Sequence, residues 1–140
     1  MIAATTYPLL WDRSLADALE ALSGVGFEAV EILVSPPHLG VNDVEARANV
    51  SDTLVRLGLQ ALSVNSPTAD VNIASVEPGL RRASVKHYSR LLETAADLEA
   101  PLAVVSLGRV HPLQSPRLDD VREIALQSIT ELAERAATLG

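Results

Sequence analysis

Short β-branched apolar runs alternate with longer segments of helical period four times along the chain, the pattern of βαβ units and a parallel sheet. The first strand is expected at Ile2 to Thr6, followed by a loop through Pro8 and Trp11. Ser14 then caps a helix, Asp17 stands where an acid answers that cap, and Leu15, Ala18, Leu19 and Leu22 form its apolar face up to Gly24. The second strand, Phe27 to Val34, runs into Ser35-Pro36-Pro37-His38. Asn42 is expected to cap a helix from Asp43 to Leu57, with Glu45 closing a capping box and Gly58 stopping it.

The third strand is Leu59 to Val64, and a long loop from Asn65 to Ser75 leads to a helix over Val76 to Glu99. Its buried stripe should be Leu80, Ala83, Tyr88, Leu91, Leu92, Ala95 and Leu98. Leu102 to Leu107 is an uninterrupted apolar run, as in strands covered on both faces. After a loop from Gly108, Ser115 and Pro116 should open a last helix with Leu118, Val121, Ala125, Ile129, Leu132 and Ala136 inside. The reading is therefore a single α/β domain over residues 1–140, four βα units with parallel strands resembling the first half of a (β/α)8 TIM barrel. A fifth strand is expected beyond Leu139-Gly140, because 140 residues is about half of the roughly 250 that a barrel takes.

Composition narrows the function classes. The formal charge is −7, from 18 acids against 11 bases, and Lys86 is the one lysine. No broad basic face is available to neutralise phosphates, so no nucleic-acid partner is expected. With no cysteine, thiolate catalysis and Cys-held zinc drop out. Charges interrupt every apolar stretch well short of the roughly 18 residues that span a bilayer, and the N-terminus has no basic, apolar leader. A cytoplasmic protein with no membrane partner is expected.

In parallel βα architectures the chemistry sits at the C-terminal strand ends. That singles out Thr6 and Tyr7, Glu31 and His38, Asn65 with Asp70 and Asn72, and Ser106, Arg109 and His111. Glu31 stands inside Ala29-Val30-Glu31-Ile32-Leu33, where an ionised carboxylate is costly unless it is paired or lines a polar cavity. Asn65, at a strand tip, suits hydrogen bonding to a hydroxylated substrate, whereas Asn72 suits holding a loop through its own backbone. Arg109 can anchor an anionic or hydroxylated group, His38 and His111 are loop histidines, and His87, mid-helix, reads as structural. Tyr7 and Trp11 offer an apolar wall. Gly24-Val25-Gly26 lies between helix and strand, the wrong place for a phosphate loop, and there is no Gly-x-Ser-x-Gly elbow. Asn49-Val50-Ser51 matches a glycosylation acceptor but falls inside an expected helix.

The segment Asp70–Val85 (Asp-Val-Asn-Ile-Ala-Ser-Val-Glu-Pro-Gly-Leu-Arg-Arg-Ala-Ser-Val), then Leu91–Pro101 and Val104–Gly108, resembles the third-to-fourth-strand region of the xylose-isomerase-like barrel superfamily. Gly26–Ile32 (Gly-Phe-Glu-Ala-Val-Glu-Ile) resembles its second strand. The resemblance implies a sugar or sugar-phosphate isomerase or epimerase that moves a proton beside a carbonyl or hydroxyl-bearing carbon. A divalent metal, Mn or Mg, would polarise the oxygens, with carboxylates as acid and base. In such relatives the metal ligands and catalytic glutamates come from the fifth to eighth strands, so none is expected here. This chain would supply substrate-binding groups only: Glu31, Asn65, Arg109, His38 and Tyr7 around a small sugar. The abasic-site nuclease branch is disfavoured, because Asn65 and Ser106 stand at the matching positions of its metal-binding histidines.

Three readings follow. The chain is the N-terminal half of a metal-dependent sugar isomerase or epimerase; or a non-catalytic half-barrel pairing through its sheet edges with itself or with a separate C-terminal half; or, less favoured, a doubly wound ligand-binding domain, for which no fingerprint exists.

Overall fold

A computed structural model describes residues 2–67, 70–110 and 116–140. It contains β1 (Ala4–Thr5), α1 (Leu15–Gly24), β2 (Ala29–Leu33), α2 (Val44–Leu57), β3 (Gln60–Asn65), α3 (Pro78–Asp97), β4 (Leu102–Ala103) and α4 (Leu118–Ala137). The four strands pair in parallel in the order β1-β2-β3-β4. This is the four-unit half-barrel arrangement that the alternating pattern predicts.

One face of the sheet carries the core. Val30, Ile32 and Val34 from the β2 segment and Ala61 and Val64 from β3 pack with Leu19, Val50, Leu54, Val85, Tyr88, Leu91 and Leu132 from the four helices. Burying each large apolar side chain is worth roughly 1.5–3 kcal/mol, so this layer dominates the stability. Strand alternation sends the intervening residues to the opposite face, where Ala29 and Leu33 are buried and Glu31 and Ser63 half-buried.

β2 and β3 slip in register. Val30 pairs with Ala61 but Glu31 pairs with Ser63, which leaves Leu62 as an extra residue on β3. The bulge lets Ala61 and Val64, three apart, both face the core, and it turns Ser63 to the opposite face.

Several boundaries differ from expectation. β1 is Ala4–Thr5 rather than Ile2 to Thr6, and β4 is Leu102–Ala103 rather than a run to Leu107. Both are edge strands with a neighbour on one side only, so their ladders end early. For the same reason β4 is not covered on both faces: Leu102 is 63% exposed. Asp43, not Asn42, caps α2 by accepting from the Ala46 N–H, which moves the third helical position off Glu45 and leaves no capping box. Glu77 caps α3, which therefore starts at Pro78, and its carboxylate accepts from the N–H groups of Gly79 and Leu80. Leu80 points outward as a result of that start. α4 begins at Leu118 after Arg117, with no side-chain cap; Leu118 is exposed, and Ser115 lies outside the described residues.

Other local signals hold. The Ser14 hydroxyl accepts from the Asp17 N–H and donates to its carboxylate, and Gly58 ends α2 in the left-handed region at φ 64°. α1 runs to Gly24, but the left-handed residue that reverses the chain is Gly26, at φ 95°. Tyr7–Leu9, expected as loop, form one 3₁₀ turn. No helix among the described residues is long and apolar enough to cross a membrane.

Candidate functional site

The face of the sheet opposite the helix-packed core carries a polar row. Thr5, Glu31 and Ser63 are register partners across β1, β2 and β3, and Asn65 follows one pleat later beside Leu33. The Ser63 hydroxyl donates to Glu31 Oε2 at 3.2 Å. Glu31 is half-buried, and among the described residues this is its one side-chain hydrogen bond, made through Oε2. Thr6, fully buried, turns back instead: its Oγ1 accepts from the Leu33 N–H at 2.9 Å and fastens the end of β1 to β2. Ladder bonds continue past the strand ends, with Val34 N–H donating to the Asn65 carbonyl at 2.7 Å, so Asn65 is held at the C-terminal rim.

The other residues expected at the site are spread around this row. Tyr7 stands exposed in the turn after β1, and Trp11 projects farther along the same loop. His38 is buried; its Nε2 lies 3.0 Å from the Arg13 carbonyl and its Nδ1 has no hydrogen-bond partner. The ring therefore pins the β1–α1 loop to the β2–α2 loop. Arg109 is exposed, and its side chain lines a groove with Leu107, Val110, Leu118, Val121 and Arg122 rather than joining Glu31. Asn72 has the loop-holding role: its amide donates to the Arg109 carbonyl and its Oδ1 accepts from the Ala74 N–H. Ser106 Oγ accepts from the Gly108 N–H, and the Ser106 N–H donates to the Tyr88 hydroxyl. His111 lies outside the described residues.

Beside the row, a cleft of about 730 Å³ opens between the β2–α2 and β3–α3 loops. Val34, Pro36, Val41 and Val71 give it apolar walls; Asp43, Asp70, Ser66 and His87 give it polar ones. Ser66 and His87 were not expected at a site. They lie 21 positions apart, and only the packing of α3 on β3 joins Ser66 Oγ to His87 Nε2 at 2.8 Å. Ser63 was likewise hidden, because plain alternation would have paired Leu62 with Glu31.

A metal can be tested against these residues. Among those described, no group of three or more His, Asp or Glu side chains is placed to hold an ion.

Four parallel βα units define half of a (β/α)8-type scaffold. Residues 19–140 match the model of the xylose isomerase-like TIM barrel family, and the chain belongs to that family. It is 23% identical over 137 residues to the D-psicose 3-epimerase of Ruminiclostridium cellulolyticum, covering 93% of this chain and 45% of the relative. A D-tagatose 3-epimerase-like protein superimposes with a TM-score of 0.81 at 19% identity, over 99% of this chain and 50% of that one. The 3-keto-D-glucoside 4-epimerase of E. coli gives a TM-score of 0.78 at 23% identity, over 99% and 52%. The chain thus spans about half the length of the relatives it matches.

Proposed function

We propose that this chain is the substrate-binding half of a sugar isomerase or epimerase, taking a ketose or polyol at the strand ends on the face of its sheet that carries Glu31. The observation that carries this reading is the row Thr5–Glu31–Ser63 with Asn65 at its rim, on a face that alternation would otherwise leave apolar. A half-buried carboxylate at a strand end is a strong acceptor for sugar hydroxyls. Asn65 adds a donor and an acceptor, and Tyr7 supplies an apolar edge for the carbon skeleton. His38 contributes by fixing the β1–α1 loop to the β2–α2 loop, and Arg109, in the loop after β4, offers an exposed guanidinium to a hydroxylated or anionic group.

Proton transfer beside the carbonyl, and the Mn or Mg that such chemistry uses, belong in this reading to a complementary half. A cytoplasmic enzyme of carbohydrate metabolism accords with this reading.

The test is saturation-transfer NMR of the chain with D-psicose and D-tagatose. Transfer to the ring protons, much reduced in Glu31→Gln, is expected. No transfer, or equal transfer to both proteins, overturns the proposal.

A second reading, a non-catalytic half-barrel that pairs through its edges, is favoured by the apolar groove at β4, about 500 Å³, lined by Leu107, Val110, Leu118, Leu126 and Ile129. The outer edge of β4, which has no neighbouring strand among the described residues, invites another chain. Light scattering decides it: a mass above 14.9 kDa in solution supports pairing, and a monomer at all concentrations rejects self-pairing.

A further inference from the structure

We propose that Ser66 and His87 form a nucleophilic dyad that cleaves neutral, short-chain carboxylic esters bound in the cleft between the β2–α2 and β3–α3 loops. This activity is separate from the polar row on the sheet face.

Four observations carry it. Ser66 Oγ is 2.8 Å from His87 Nε2, within the reach that a hydroxyl nucleophile and its base require. Both residues sit on rigid supports: Ser66 directly follows β3, and His87 lies within the second half-turn stack of α3, its ring edge-on to Tyr88 with centroids 5.7 Å apart. Tyr88 is fully buried and its hydroxyl accepts from the Ser106 N–H, so the partner that fixes the imidazole plane is itself fixed. Ser66 is only 3% exposed, but it and His87 both line the 730 Å³ cleft, so a ligand in the cleft reaches the hydroxyl without crossing the core.

The imidazole is also in the right form. Burial holds the His87 pKa below its ordinary value and so favours the uncharged ring, and in the tautomer protonated on Nδ1 the Nε2 lone pair accepts the hydroxyl proton.

The walls select the ester. Val34, Pro36, Val41 and Val71 fit a small apolar acyl group, whereas Asp43 and Asp70 on the same cleft repel an anionic one. In the reaction the Ser66 hydroxyl proton passes to His87 Nε2 as Oγ bonds to the acyl carbon. The carbon–oxygen bond to the alcohol breaks, and the alcohol leaves with the proton from His87. Water then attacks the acyl-serine, gives a proton to His87, and releases the carboxylic acid as Ser66 regains its proton. Among the described residues no carboxylate is hydrogen-bonded to His87, so the site is a dyad and turnover should be slow.

A fluorophosphonate ester tests it on the whole chain, by intact mass and by tryptic mapping. One adduct per chain on Ser66 is expected, absent from heat-unfolded protein. Ser66→Ala should abolish it, and His87→Gln should slow labelling about 100-fold, the scale of general-base assistance. If Ser66→Ala fails to fold, the map of the unaltered chain still locates the adduct. No adduct, an adduct on another residue, or wild-type labelling in His87→Gln overturns the proposal.

Discussion

Glu31 and Ser63 are joined by a 3.2 Å hydrogen bond that exists because Leu62 is bulged out of β3. In unbroken register Glu31 would stand opposite a leucine on β3 instead of a hydroxyl. The bulge thus converts an apolar neighbour into a hydroxyl at the point where the sheet face turns polar. A half-buried carboxylate with one partner is a feature kept at some cost in stability. Glu31→Leu is therefore expected to leave the melting temperature unchanged or higher while sugar binding is lost. A thermal melt beside the NMR titration checks both, and a clear drop in melting temperature would assign Glu31 a structural role.

Gly108 and Asn72 make a second tight pairing. Gly108 has φ 94°, and a Cβ there would run into the Asn72 side chain and come within 2.8 Å of its Cα. Gly58 also has positive φ, at 64°, but open space around it. Gly108→Ala should cost about 2–4 kcal/mol, from left-handed strain plus overpacking, and Gly58→Ala about 1–2 kcal/mol, from strain alone. Urea denaturation of the two variants measures the difference. Equal costs would mean that the Asn72 loop moves aside freely.

Arg47 is buried between α2 and α3, with its guanidinium 2.8 Å from Asp97 and a second bond to the Val41 carbonyl. Its Nε is buried with no partner. Asp97 is half-exposed, so solvent weakens the charge pair. Arg47→Ala should cost about 3 kcal/mol, mostly through lost packing and an emptied channel, and Asp97→Asn about 1 kcal/mol. Arg47→Met should lie nearer the second value, because it keeps the stem and removes the unsatisfied nitrogen. The three denaturation midpoints rank these effects, and a larger loss for Asp97→Asn than for Arg47→Ala would reverse the assignment.

Acid should weaken the fold through His87. Burial lowers its folded pKa, so the unfolded chain binds the proton more readily. Its contribution is fully present above about 6.5, the unfolded value, and is lost as pH falls from there toward the folded pKa. Stability measured from pH 7.5 to 5 should decline, and His87→Gln should flatten the part of the slope that His87 contributes. An unchanged slope in that variant would show that His87 is not the group responsible.

A second acid transition belongs to the start of α3. Hydrogen bonds from the Gly79 and Leu80 N–H groups hold the Glu77 carboxyl below the ordinary carboxylate range. That cap is present above the unfolded carboxylate pKa and is lost as pH falls through the lower folded value. Amide exchange at Gly79 and Leu80 should accelerate there before the rest of α3 is affected. Glu77→Gln should give faster exchange at neutral pH and remove the transition.

Much of the architecture was legible along the chain. Hydrophobic period distinguishes strand from helix, and the Ser14 cap, the Gly58 stop and the place of Glu31 in β2 are local features that side-chain chemistry settles within a few residues. Half-barrel topology follows because alternating strands and helices leave few ways to bury one face. The ends of β1 and β4 were not legible, since ladder length depends on whether a neighbouring strand is present. Nor was the choice of Asp43 over Asn42 as cap, as two adjacent capping residues compete and the approach of the preceding loop decides.

By itself, then, the sequence determined four βα units, their parallel sheet and a carboxylate within the second strand, because these rest on period and local hydrogen bonding. Only the tertiary structure decided which side chains meet. Ser63 faces Glu31 through a bulge, Ser66 reaches His87 across 21 positions, and Arg109 turns to the α4 groove. Each of these depends on register and on how helices settle against the sheet, which are set by the summed packing of the core rather than by any residue's neighbours in the chain.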